Sequence, residues 1–154
     1  MQTNPGGVSD DMVQALAELA ELRQFTGPGR DFWPRLIACA AKLSHADHLV
    51  LLVRSATGAP WKKFSEWSAN RGPSRFLVAF TMQLEDAANR AIRDRSFAQK
   101  MDEDSTGNHF IIGVRLKLQR QEEEVVLTGL LAGVTQTSAQ EVLLRLNLVA
   151  DTPE

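Results

Sequence analysis

Between His109 and Leu118 the chain alternates. Phe110, Ile112, Val114, Leu116 and Leu118 are apolar, and His109, Ile111, Gly113, Arg115 and Lys117 fall between them. A period of two predicts a strand with one buried face, so Arg115 should point away from the Phe110–Leu118 row. Arg120 to Glu124 form a charged turn. Val125 to Val134 (VVLTGLLAGV) are apolar on both alternations, which predicts a strand inside a sheet with both faces covered. Ser138 and Glu141 then have the spacing of a capping box and open a helix through Val149.

The same reading extends to the rest of the chain. Residues 1–8 are polar and rich in turn formers, a loose arm ahead of a single domain over 9–150. Ser9 caps a first helix striped by Met12, Val13, Leu16, Leu19, Ala20 and Leu22. Gly27-Pro28-Gly29 ends it. Asp31 caps a second helix running to about His45, with Phe32, Leu36, Ala40 and Leu43 as its stripe and Trp33 and Ile37 widening it. His48 to Arg54 (HLVLLVR) is a buried strand, and Trp61 to Ser68 (WKKFSEWS) its antiparallel partner. Simple alternation puts Trp61, Lys63, Ser65 and Trp67 on one face of that partner. Phe76 to Arg95 is the longest helix, followed by a short edge strand from Phe97 to Met101. Antiparallel hairpins separated by helices define an α+β domain with one central sheet.

Composition narrows the possibilities. With 154 residues, 44% of them hydrophobic and 23% charged, the chain is long enough to bury a core and should fold. A net charge of -2 without a basic stripe gives no reason to expect nucleic acid. One cysteine excludes an intramolecular disulfide and fits a reducing, cytoplasmic compartment. The start lacks a secretory pattern, and no window approaches the roughly 20 apolar residues that span a bilayer, so the chain reads as soluble.

The element order, with HFIIGVRLKL, EEEVVLTGLLAGV and SAQEVLLRLNLVAD, resembles the GAF domain over essentially residues 9–150. The resemblance implies a central antiparallel sheet with the first and last helices packed together on one side. On the other side it implies helices and loops over a small-molecule pocket. Where typical members carry Pro in the penultimate strand, this chain has Arg115. Where a Gly usually opens the last strand, it has Glu124-Val125. More narrowly, LLVRSATGAPWKKFSEW and LLRLNLVADTPE are similar to GAF-type segments preceding membrane-fusion adaptors of bacterial secretion or efflux systems. That similarity implies a cytoplasmic portion of a longer, membrane-tethered protein, with 151–154 as a tail or boundary.

The candidate chemistry is sparse. GAF relatives that are sulfoxide reductases or bilin photoreceptors rely on cysteines beside the pocket, whereas Cys39 lies mid-helix in LIACAAK and reads as a small core residue. The motif of cyclic-nucleotide-binding members is absent. His45, Asp47 and His48 straddle a helix–strand junction, so their imidazoles should diverge; no metal site is expected. Asp102, Asp104, Thr106 and Gly107 mimic half a calcium loop, but the twelfth position is Gly113 instead of Glu, leaving a solvated acidic turn. No nucleophile elbow, Walker loop or dinucleotide fingerprint occurs, so neither catalysis nor a cofactor is expected.

Two features remain. Arg54, Trp61 and Trp67, joined by Arg115, could line a pocket that stacks a planar ligand or holds an anion; the alternative is a sheet face packed under the long helix. On the last helix, Leu144 and Leu148 add an apolar edge beyond the core stripe. With Leu16 and Leu19 of the first helix they suggest a homodimer bundle, or they cover the first helix within one chain. The expected function is a non-enzymatic sensory or regulatory domain that binds a small molecule or transmits a signal through a helical dimer interface. The alternative is a pure dimerisation scaffold of a membrane-tethered secretion or efflux adaptor, touching the membrane only through that parent.

Overall fold

The computed structural model describes residues 10–25, 27, 29–56, 58–69, 75–101, 109–117, 123–132 and 135–151. The amino-terminal arm, the Ser9 cap, the acidic loop from Asp102, most of the Arg120–Glu124 turn and residues 152–154 lie outside them. Helices α1 (Asp10–Leu22) and α2 (Gly29–Ser44) precede strands β1 (His48–Arg54) and β2 (Lys62–Ser68). Helices α3 (Arg75–Met82) and α4 (Leu84–Asp94) follow, then β3 (Ser96–Lys100), β4 (Phe110–Arg115), β5 (Glu124–Leu131) and α5 (Gln136–Asp151).

The five strands form one sheet in the order β2-β1-β5-β4-β3, antiparallel throughout. The doubly apolar run becomes β5, the central strand, buried from Val125 to Leu131. This α+β architecture, with both chain-end helices on one face, matches the expectation from the sequence.

Alternation along the strands separates two cores. On one face Leu49, Leu51, Ile112, Val114 and Leu127 pack under α1, α2 and α5. On the other, Val50, Leu52, Ile111, Val126 and Leu130 lie beneath Phe80 of α3 and Ala87, Ala88 and Ala91 of α4. Small side chains let α4 settle close to the sheet, and Gly113 completes the fit. A Cβ at Gly113 would come within 2.6 Å of Phe97 Cε1 and 3.3 Å of the Ala91 methyl.

Three expectations change. The first and last helices are not each other's main partner: α1 docks chiefly on α2, and α2 on α5. The widened apolar stripe of α2 serves both neighbours, and Arg35 of α2 is held by Glu18 and Glu21 of α1. The long helix breaks at Gln83, whose φ of -105° and ψ of 7° leave the helical region. Phe80 thereby reaches β1, where its ring meets that of His48, while α4 runs over β3, β4 and β5. At α5 the cap is Thr135, not Ser138. Its Oγ1 accepts from the Ser138 backbone N–H at 3.0 Å, so Ser138 occupies the third helical position.

A fourth difference bears on the site. The β1–β2 register shifts between Leu51, opposite Ser65, and Leu52, opposite Lys63. Phe64 is the extra residue, and its ring meets Trp33 of α2 edge-on at 5.2 Å. A β-bulge places two residues against one and reverses the alternation beyond it. Trp61 therefore lies on the α4 face, and Trp67 on the face of α1, α2 and α5. The two indoles do not share a face.

Candidate functional site

At the end of the α4 face where β1, β2 and β5 meet, five side chains converge. Arg54, the last residue of β1, is 8% exposed. Antiparallel pairing puts Glu124 directly opposite it on β5. Arg54 Nε donates to Glu124 Oε1 at 2.7 Å, and Nη1 donates to Asn89 Oδ1 of α4 at 3.2 Å. The guanidinium carbon stands 4.5 Å from the Trp61 ring centroid, a cation–π contact. Trp61 Nε1 donates to the same Asn89 oxygen at 2.8 Å. Arg115 of β4 completes the group, its Nη2 3.8 Å from Glu124 Oε2. As the alternation of β4 predicts, Arg115 faces this side. Arg115 and Glu124 thus face each other on neighbouring strands.

Of the four ligand candidates, the structure brings together Arg54, Trp61 and Arg115. Trp67 lies across the sheet, packed beside Leu49. Asn89 and Glu124 were missed. An asparagine on the polar side of a helix and a glutamate in a charged turn carry no periodic signal. Only the packing of α4 on the sheet reveals them.

A second polar group sits at the opposite end of the same face. His48 Nε2 pairs with Glu66, and Lys63 Nζ donates to Glu66 Oε1 at 3.1 Å. Burial alone would raise the Glu66 carboxyl, but the bonds from Lys63 and His48 more than offset it and hold it below the usual glutamate range. His45, by contrast, is exposed just past the end of α2. Among the described residues, no group of three His, Cys, Asp or Glu could hold a metal ion.

Cys39 is buried among α2 core residues, and burial pushes its thiol up to about 11. A thiol so far from its thiolate is a poor nucleophile at neutral pH. On the helices, Leu144 is 69% exposed, Leu148 39% and Leu16 40%, whereas Leu19 is 2% exposed. Leu19 belongs to the core beneath α1 and is not available to a second chain, because it lies on the inward stripe with Ala15 and Leu22. No described helix is long and apolar enough to cross a membrane.

No family model matches the sequence, and no curated protein matches it. Solved structures do share the fold. A GAF domain from A. aeolicus in an inactive state aligns with a TM-score of 0.60 at 10% identity, over 92% of each chain. An N-acylhomoserine lactone dependent LuxR family transcription factor from Burkholderia cenocepacia aligns at 0.59 with 14% identity, over 92% of this chain and 93% of that one. The GAF domain of a phosphoenolpyruvate-protein phosphotransferase from Coxiella burnetii aligns at 0.52 with 11% identity, over 92% and 94%. The fold is that of a GAF domain.

Proposed function

We propose that this chain is a non-enzymatic regulatory domain that binds a small molecule on the α4 face of its sheet. The observation that carries the reading is the Arg54 cluster. A buried cation, its counter-ion, an indole and an amide all stand at the rim of the face opposite the closed α1–α2–α5 core. Buried ionic groups are costly for stability alone, so a cluster of them at one edge suits recognition better than packing. The GAF-like fold supports a regulatory role by analogy, and one neighbour of the same fold is described as dependent on an N-acylhomoserine lactone. The high thiol of Cys39 supports a non-catalytic reading.

A second reading, a dimerisation scaffold, draws on the exposed Leu144 and Leu148 of α5. The place of the domain in a larger cytoplasmic or membrane-tethered protein, including a secretion or efflux adaptor, has only the resemblance of LLVRSATGAPWKKFSEW and LLRLNLVADTPE behind it, and no matched protein adds support. Native mass spectrometry of the purified chain separates the two readings. A retained small molecule whose loss follows Trp61→Ala supports sensing. A ligand-free dimer that no metabolite pool can load supports the scaffold and ends the sensing proposal.

A further inference from the structure

The proposed ligand site has a definite polarity, and with it a definite chemical class of ligand. Asn89 Oδ1 receives two hydrogen bonds, one from Arg54 and one from Trp61. Both partners are donors only, so the amide cannot be flipped: its oxygen must face them, and its nitrogen must face away. Asn89 is exposed, and among the described residues nothing accepts from that nitrogen. Arg115 is 46% exposed and touches Glu124 only at 3.8 Å, beyond hydrogen-bond length. The rim therefore presents guanidinium and amide donors, with two guanidinium groups sharing one carboxylate. That carboxylate is 13% exposed and committed through its other oxygen to Arg54.

Resting on the ligand-binding reading above, we infer that the rim takes an oxyanion, a carboxylate or a phosphate, held by Arg115 and the Asn89 amide. In this arrangement Glu124 is the built-in competitor. Its Oε2 answers Arg115 weakly in the free protein, and an incoming oxyanion replaces it there while Oε1 stays on Arg54. Arg54 is a positioning residue: it holds Asn89 and Glu124 and stacks under Trp61. Because Asn89 lies on α4, occupancy is felt by the helix that covers β3, β4 and β5.

The test uses the intact, isotopically labelled chain. The Trp61 indole N–H resonance, assigned through Trp61→Phe, is followed while acetate, benzoate, inorganic phosphate or uncharged benzamide is added at constant ionic strength. At least one oxyanion should shift the resonance saturably and benzamide should not; the tighter of carboxylate and phosphate identifies the head group. Glu124→Gln, which keeps an acceptor for Arg54, should tighten binding about tenfold by removing the competing charge, and Arg115→Gln should weaken it about tenfold. Unfolding curves establish that both variants are folded, and Arg115→Gln is a surface change that tests the idea even if Glu124→Gln is not. Equal weakening by both variants, or no saturable shift with any oxyanion, overturns the inference. A molecule retained in native mass spectra that leaves Trp61 unshifted overturns it while the sensing reading stands; loss of both results overturns both.

Discussion

Arg54 and Trp61 both donate to a single oxygen, Asn89 Oδ1, and also stack on each other at 4.5 Å. The end of β1, the residue just before β2 and helix α4 are tied together at that oxygen. Neither residue could be paired with Asn89 from chain spacing, because 28 positions separate Trp61 from it and 35 separate Arg54.

The buried pair beneath this contact should be strongly coupled. Arg54→Leu or Glu124→Leu alone should cost about 3–5 kcal/mol, because each strands a partly buried charge. Glu124→Leu should be the more costly, since Glu124 retains the cation Arg115 when Arg54 is lost, whereas Arg54 keeps only neutral partners, the Asn89 oxygen and the Trp61 ring. The double variant should cost less than the sum of the two. Urea unfolding of the four proteins measures the cycle.

Deleting Phe64 should remove the bulge without changing the pairing on either side of it, since Ser65 and Lys63 already face Leu51 and Leu52. Trp61 then keeps Asn89 and Arg54, and its indole N–H resonance and that of Trp67 should stay in place. The Trp33 resonance should move, because it loses the Phe64 ring. A Trp61 signal that moves to that of an exposed indole would mean that the register slips.

Acid stability should report on Glu66. A carboxyl held below its unfolded value contributes stability that is present above the unfolded range, about pH 4.3, and is lost as pH falls through the folded value. Thermal midpoints should therefore fall below that pH, and fall less in Glu66→Gln. Asp94, lowered by its bonds to Arg93, acts in the same window, so the comparison with Glu66→Gln isolates the His48–Glu66–Lys63 group.

Gly113→Val should destabilise by about 1–3 kcal/mol, because the new side chain must displace Phe97 or lift α4 from the sheet at Ala91. Chemical denaturation measures the cost.

Leu144→Glu with Leu148→Glu should abolish association without loss of stability if α5 carries a dimer contact, since both side chains already face outward. Light scattering at high concentration, beside an unfolding curve, checks this. Identical masses for parent and variant would remove the dimer proposal.

What could be read from the chain alone was whatever repeats at short range. The period of two in β4 gave the direction of Arg115, but not the burial of the strand on both faces, since Ile111 and Gly113 lie covered on the α4 side. The unbroken apolar run of β5 gave its central position, and the positions of β1 and α2 followed from composition and turn residues. The GAF-like order of elements was legible for the same reason: it is a sum of local periods.

Tertiary packing decided the rest. The bulge at Phe64 arises from pairing with β1 and from the Trp33 ring waiting on α2, and neither is encoded in the alternation of β2 itself. The break at Gln83 has no glycine or proline to announce it; it lets Phe80 and α4 meet different parts of a twisted sheet. Asn89 and Glu124 gain their roles only because a helix lies across three strands. Periodicity tells which side of an element is apolar, but a site built from polar side chains on four separate elements exists only once those elements are packed.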